Sequence, residues 1–271
     1  MKVKARSYSS TKAQSPHDGD KAPSQQRTDT VVPTSPVEAP APVSTKSLVQ
    51  FSLLLLLIID ALLLAANVAH IAGADGAGRI LRIFSPISWN GDYDGSHLEV
   101  WGHIKLFAAS AVLVALAFSY RSLLLAAWGT VLLIIMGDDL FQVHEQVGEI
   151  FIMKLGLEGG FGLRPQDFGE LLAWAILGAV ALLILMVGHI KTTPWERRQS
   201  WFFVGVLALF AVFAVGVDML HIIVHDSLSY LALHAVTLAE TAGEIIPMSI
   251  FLALAIKLAV APHTKSKPLS P

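Results

Sequence analysis

The chain has 271 residues, of which 54% are hydrophobic and only 15% charged, with a formal net charge of −2. That balance is too apolar for a soluble domain of this length and points to several bilayer spans. There is no cysteine, which excludes disulfides, thiolate catalysis, zinc–thiolate sites and Cys-held iron–sulfur clusters, so any metal must be held by His, Asp, Glu or backbone oxygen.

Residues 1–46 are rich in Ser, Thr, Pro, Gln and Lys and lack apolar periodicity, the signature of a disordered tail. The first apolar run starts too late, and lacks a clear cleavage site, for a secretory signal. Spans are expected near 48–70, 101–120, 122–144, 169–190, 200–224 and 232–258. The predicted fold is an all-α membrane protein, a bundle of six transmembrane helices within residues 47–260, followed by a short tail at 261–271. The tight turn at Tyr120, Arg121 and Ser122 makes the second and third spans an antiparallel hairpin.

Positive charge collects on one side of this scheme: in the N-terminal tail, at Arg121, at Lys191, Arg197 and Arg198, and at Lys257, Lys265 and Lys267. The opposite loops carry Arg79, Arg82, Lys154 and Arg164, mixed with more acids. The positive-inside rule then places both termini in the cytoplasm of a multi-pass membrane protein, in the inner membrane if the source is bacterial. The lipid bilayer is the expected partner, and no nucleic acid is.

The first outer loop contains NGDYDGSHLE, residues 90–99, in which Asn90, Asp92, Asp94 and Gly95 match the first half of a calcium loop. Trp101 stands where the closing Glu belongs, so a polar Gly-rich turn competes with calcium there. The other long outer loop carries EGGFGLRPQDFGE, whose glycines suit a mobile lid.

The motif E-x-x-G-E-I occurs twice, in HEQVGEI (144–150) and in AETAGEI (239–245). Intramembrane and boundary acids are costly and mark function. At about 100° per residue, Asp138, Gln142, Glu145 and Glu149 form one stripe if the third helix continues past 144, with His144 on another side. Asp218, His221 and His225 share a face of the fifth helix, and Thr237, Glu240 and Glu244 a face of the sixth. Asp60 and Asn67 align on the first helix, where Asp60 is expected to be protonated or paired. Lys105 either snorkels outward or neutralises one of the acids.

Carboxylates on facing helices with imidazole nearby are the ligand pattern of dimetal sites in helical bundles. The expected metal ligands are Glu145, Glu149, Asp218, His221, His225, Glu240 and Glu244, supported by Asp139, Gln142, His144, His234 and Thr237. Asp138 and Glu145 are the catalytic candidates. The donor set suits iron, manganese or zinc, singly or as a dinuclear centre. HEQVG is not the zincin H-E-x-x-H, because Gly148 replaces the second His. The run HEQVGE resembles the H-E-x-x-x-E spans of zinc–iron permeases over six residues, although six spans depart from that family's number.

Three functions fit. One is a metal-dependent oxidoreductase or hydrolase acting on a lipid-like, membrane-accessible substrate. Another is an ion- or proton-coupled transporter using the same acids, against which the apolar inner halves of the spans count. The last is a non-catalytic subunit with partners in a larger membrane complex.

Overall fold

The computed structural model describes residues 44–74 and 83–261. The tail up to residue 43, Arg79, Arg82, and the C-terminal tail with Lys265 and Lys267 lie outside the described residues. The described chain is helical: α1 (Thr45–Ala74), α2 (His97–Tyr120), α3 (Leu123–Leu140), α4 (Val143–Leu155), α5 (Pro165–Gly188), α6 (Pro194–Ala211), α7 (Asp218–Val224) and α8 (Tyr230–Val260). Six helices are long and apolar enough to cross a membrane, at 45–73, 97–120, 123–140, 165–188, 194–227 and 230–260.

Local sequence sets the boundaries. Ser96 caps α2 by accepting the Glu99 N–H at 3.2 Å. Arg121 ends α2 in the left-handed region (φ 53°). Ser122 then caps α3 by accepting the Leu125 N–H at 3.4 Å. Thr193 and Glu196 form a reciprocal capping box, with Pro194 in the first turn of α6. The fifth span therefore starts at 194 instead of the expected 200, and Arg197 and Arg198 ride on the helix. Between α6 and α7 the helix loosens into a π-helical segment, Val212–Val217.

The third span corrects the expectation most. It stops at Leu140, not 144. The Phe141 N–H turns back to the Gly137 carbonyl, the Gln142 N–H reaches the Asp139 carbonyl at 3.1 Å, and Gln142 enters the left-handed region (φ 50°). The chain then restarts as α4, so the stripe from Asp138 to Glu149 is not on one helix. Gln142 instead donates from its side chain to Asp94 at 2.6 Å. The glycine-rich stretch that follows closes through a bridge between Gly160 and Leu163.

The core centres on the α2–α3 hairpin, where Leu106, Leu113, Trp128, Val131 and Leu132 pack with Phe203 and Phe251. Trp128 is fully buried, and its indole N–H donates to Ser200 at 2.8 Å. The other faces carry exposed Leu, Ile, Val and Phe, a surface compatible with a bilayer.

One polar knot sits inside. Lys105 is completely buried and its ammonium donates to Asp60 at 2.8 Å, to the Ile245 carbonyl at 2.7 Å and to Ser249 at 3.0 Å. Ser249 and the Trp101 indole donate to Asp60 as well. Asp60 is therefore paired, and Lys105 neither snorkels nor reaches the boundary acids.

Candidate functional site

The polar ends of the helices meet at one end of the bundle. A cavity of about 630 Å³ is lined by Asp92, Arg164, Asp218, His221, His225, Glu240 and Glu244. A second, of about 580 Å³, shares Arg164, Asp218, Glu240 and Glu244 and adds Asp94, Asp139, His144, Glu145, Glu149 and Glu170. The two form one acidic chamber with walls from the first loop, α3, α4, α5, α7 and α8. All seven expected ligands line it.

Several of them are already engaged. The His221 Nδ1 lies 2.9 Å from a Glu240 carboxylate oxygen. Asp218 and Glu240 line the same two cavities, and neighbouring carboxylates need a proton or a cation to relieve their repulsion. His225 is exposed and bonds its neighbour Asp226 at 3.1 Å. Thr237 is buried and lines neither cavity; its carbonyl accepts the Thr241 hydroxyl at 3.0 Å. His234 sits edge-on to Tyr230, with ring centroids 4.2 Å apart. The calcium-loop residues divide: Asn90 accepts the Asp92 N–H at 3.3 Å, Asp94 accepts Gln142, and Asp92 faces the chamber.

The break after α3 rearranges the third-span residues. It brings His144 back to Asp138, with Nδ1 2.9 Å from a carboxylate oxygen, although one straight helix would point them apart. The His144 ring also lies along Trp174, with centroids 5.1 Å apart. Burial works against protonated His144. The bond to Asp138, and the charges of Asp138, Glu170 and Glu145, outweigh it and hold the pKa above the usual histidine value. Partial burial raises the carboxyl of Glu145, opposed by His144 and helped by Glu170 and Asp94.

The tightest convergence of ligand atoms lies at a position the sequence did not single out. Among the described residues, Glu99, His103 and Asp139 each offer one ligand atom, all within 4.8 Å of one another. His103 Nε2 is 2.8 Å from Asp139 and 3.9 Å from Glu99. Glu99 and His103 are four apart on α2 and so share a face. That signal was available, but starting the second span at 101 left Glu99 in a loop. Asp139 had been assigned a supporting place and belongs to this trio.

Both glycines of the repeated motif mark helix crossings. A Cβ on Gly148 would meet the Glu170 nitrogen at 2.9 Å, and one on Gly243 would lie 2.0 Å from the Phe213 ring. Each glycine lets its helix approach closely enough to turn the flanking glutamates into the chamber.

No curated protein and no solved structure matches the chain. The model of a family described as a domain of unknown function (DUF8692) matches residues 55–258, from within α1 to the last turn of α8, and the chain belongs to that family.

Proposed function

We propose that the protein is a membrane-embedded, metal-dependent enzyme, an oxidoreductase or hydrolase, working at the acidic end of the bundle on a substrate reached from the bilayer. The observation that carries this reading is the convergence of Glu99, His103 and Asp139, of which Asp139 lines the chamber. Two carboxylates and one imidazole suit iron, manganese or zinc, and three protein ligands leave positions open for water or substrate. Glu240, Glu244, Asp218 and His221 are the ligands for a second ion, which would relieve their mutual repulsion.

His144 is the proposed acid–base group. Asp138 fixes the tautomer and orientation of its ring, as a carboxylate does for a working histidine. Glu145, on the same helix, is the second proton acceptor. The loop-charge bias supports placing the chamber on the face away from the cytoplasm.

A transport path would have to continue through the bundle. Beyond the chamber stand Val131, Leu132, Phe251 and Ala255, all buried, and the closed Asp60–Lys105 pair, which favours catalysis over transport.

The test is elemental analysis of the detergent-purified protein beside a His103→Ala, Asp139→Asn double variant. About one or two iron, manganese or zinc atoms per chain, reduced in the variant, is the expected result. A wild type that holds no metal after reloading sinks the reading.

A further inference from the structure

An apolar cleft of about 880 Å³ runs beside the acidic chamber, between α3, α5 and α6 with its π-helical extension. Its walls are residues such as Ile134, Leu171, Leu177, Leu207 and Val215, and its one acid is Asp138. It exists because α5 packs chiefly on α3 and α4 while α6 packs chiefly on α8, leaving a gap between α5 and α6. All three walls belong to helices long and apolar enough to cross a membrane, and in a bilayer such a gap would face acyl chains. Its volume falls in the range of about 300–1,000 Å³ typical of small-molecule sites.

The cleft adjoins the chamber: Ile135, Trp174, Phe210 and Ala214 line both. Asp138 lines the cleft, one residue before the chamber-lining Asp139, and is only 3% exposed. One of its oxygens is held by His144, and the other is buried with no hydrogen-bond partner. A buried carboxylate oxygen without a donor is costly and asks for a donor. Carboxylates dominate the chamber lining, and Arg164 is its one arginine or lysine among the described residues.

From this geometry we infer that the ligand of the site is a single-chain membrane amphiphile with a protonated amine head. Its chain fills the cleft between α5 and α6, and its ammonium donates to the free oxygen of Asp138 and faces the chamber acids. Phosphate- or sulfate-headed lipids are repelled. This names the substrate class of the proposed enzyme and rests on that reading for its catalytic meaning, while binding can be read without metal.

The experiment is native mass spectrometry of the detergent-purified full chain, titrated with hexadecylamine or hexadecyl sulfate. Gly178 lines the cleft and nothing lies within 4 Å of where its Cβ would be, so Gly178→Phe adds a ring at the cleft from a position with room for a Cβ. Gly205, on α6, has equally open surroundings but lies outside the cleft, and Gly205→Phe is the control for folding. Expected are one retained amine per chain, at least about tenfold preference over the sulfate, and about tenfold weaker amine binding in Gly178→Phe but not in Gly205→Phe. Equal binding of the sulfate, or wild-type binding by Gly178→Phe, overturns the inference. Metal content is read on the same samples. Absent metal with the amine pattern intact defeats the metal reading alone; bound metal with no amine preference defeats this inference alone.

Discussion

The two copies of E-x-x-G-E-I reach the same chamber by different physics. In α4 the motif lies outside the helices long and apolar enough to cross a membrane, and Gly148 meets Gly169 and Glu170 of α5, backbone against backbone. Glu149 there is exposed and Glu145 partly so. In α8 the motif lies within a helix that is long and apolar enough to cross a membrane, Gly243 lies under the Phe213 ring of the π-helical segment, and Glu240 is bonded to His221. The repeat is one local solution used twice: a glycine at a crossing, with an acid on either side of it at i and i+4 positions. It brings carboxylates to a single cavity from opposite walls. Shared geometry explains it without an internal duplication.

The glycines give the sharpest way to break this comparison. Gly243→Ala drives a methyl into an aromatic ring and is expected to cost about 3 kcal/mol, read as thermal unfolding in detergent. Adding Phe213→Ala should recover part of that loss. Gly148→Ala overlaps less deeply, its nearest neighbours being backbone at 2.9 and 3.0 Å, and should cost less, about 1–2 kcal/mol, with little recovered by trimming the Glu170 side chain. Equal effects with equal rescue would mean that the two crossings do not differ.

A smaller effect comes from His144, which only the α4 copy carries. Its folded pKa is raised above the unfolded value of about 6.5. Its stabilisation is therefore complete below the unfolded value and is lost as pH rises through the folded one. Melting temperature should fall across that window in the wild type and stay flatter in His144→Gln; identical profiles would remove His144 as the titrating group. The smallest effect belongs to Glu149→Ala, an exposed acid expected to shift stability by within about 0.5 kcal/mol. A larger loss would mean that Glu149 has a buried partner and that the two copies are more alike than their surroundings suggest.

The spans were legible because long apolar runs admit few alternatives, and the α2–α3 turn because Tyr120 to Ser122 leaves no room for a loop. The start of α6 was legible too, in the capping box Thr193–Glu196, but the apolar run drew attention to 200. The end of α3 was not. Gln142 in a left-handed conformation carries no glycine or proline signal, and Asp138, Gln142, Glu145 and Glu149 read equally well as a polar stripe on a longer helix. The π-helical segment is also silent, because Val-Phe-Ala-Val-Gly-Val suits an ordinary helix. Ser96-x-x-Glu99 is a helix-start signature, and reading it would have put Glu99 and His103 on one face. The pairing of Asp60 with Lys105 depends on which helices pack together, which periodicity within one helix cannot supply.

That pair also constrains how the chain is assembled. A lone carboxylate at the middle of α1 and a lone ammonium in α2 are each expensive in lipid, so the first two spans gain by partitioning together. An ammonium has three protons to place. Asp60 takes one, and the Ile245 carbonyl and Ser249 take the others, both from α8. α8, which follows α2 in the chain, thus completes the bonding of a charge that α2 introduces. Until α8 arrives, the growing bundle holds an unfinished cation, and a chain ending before Ile245 would keep it so.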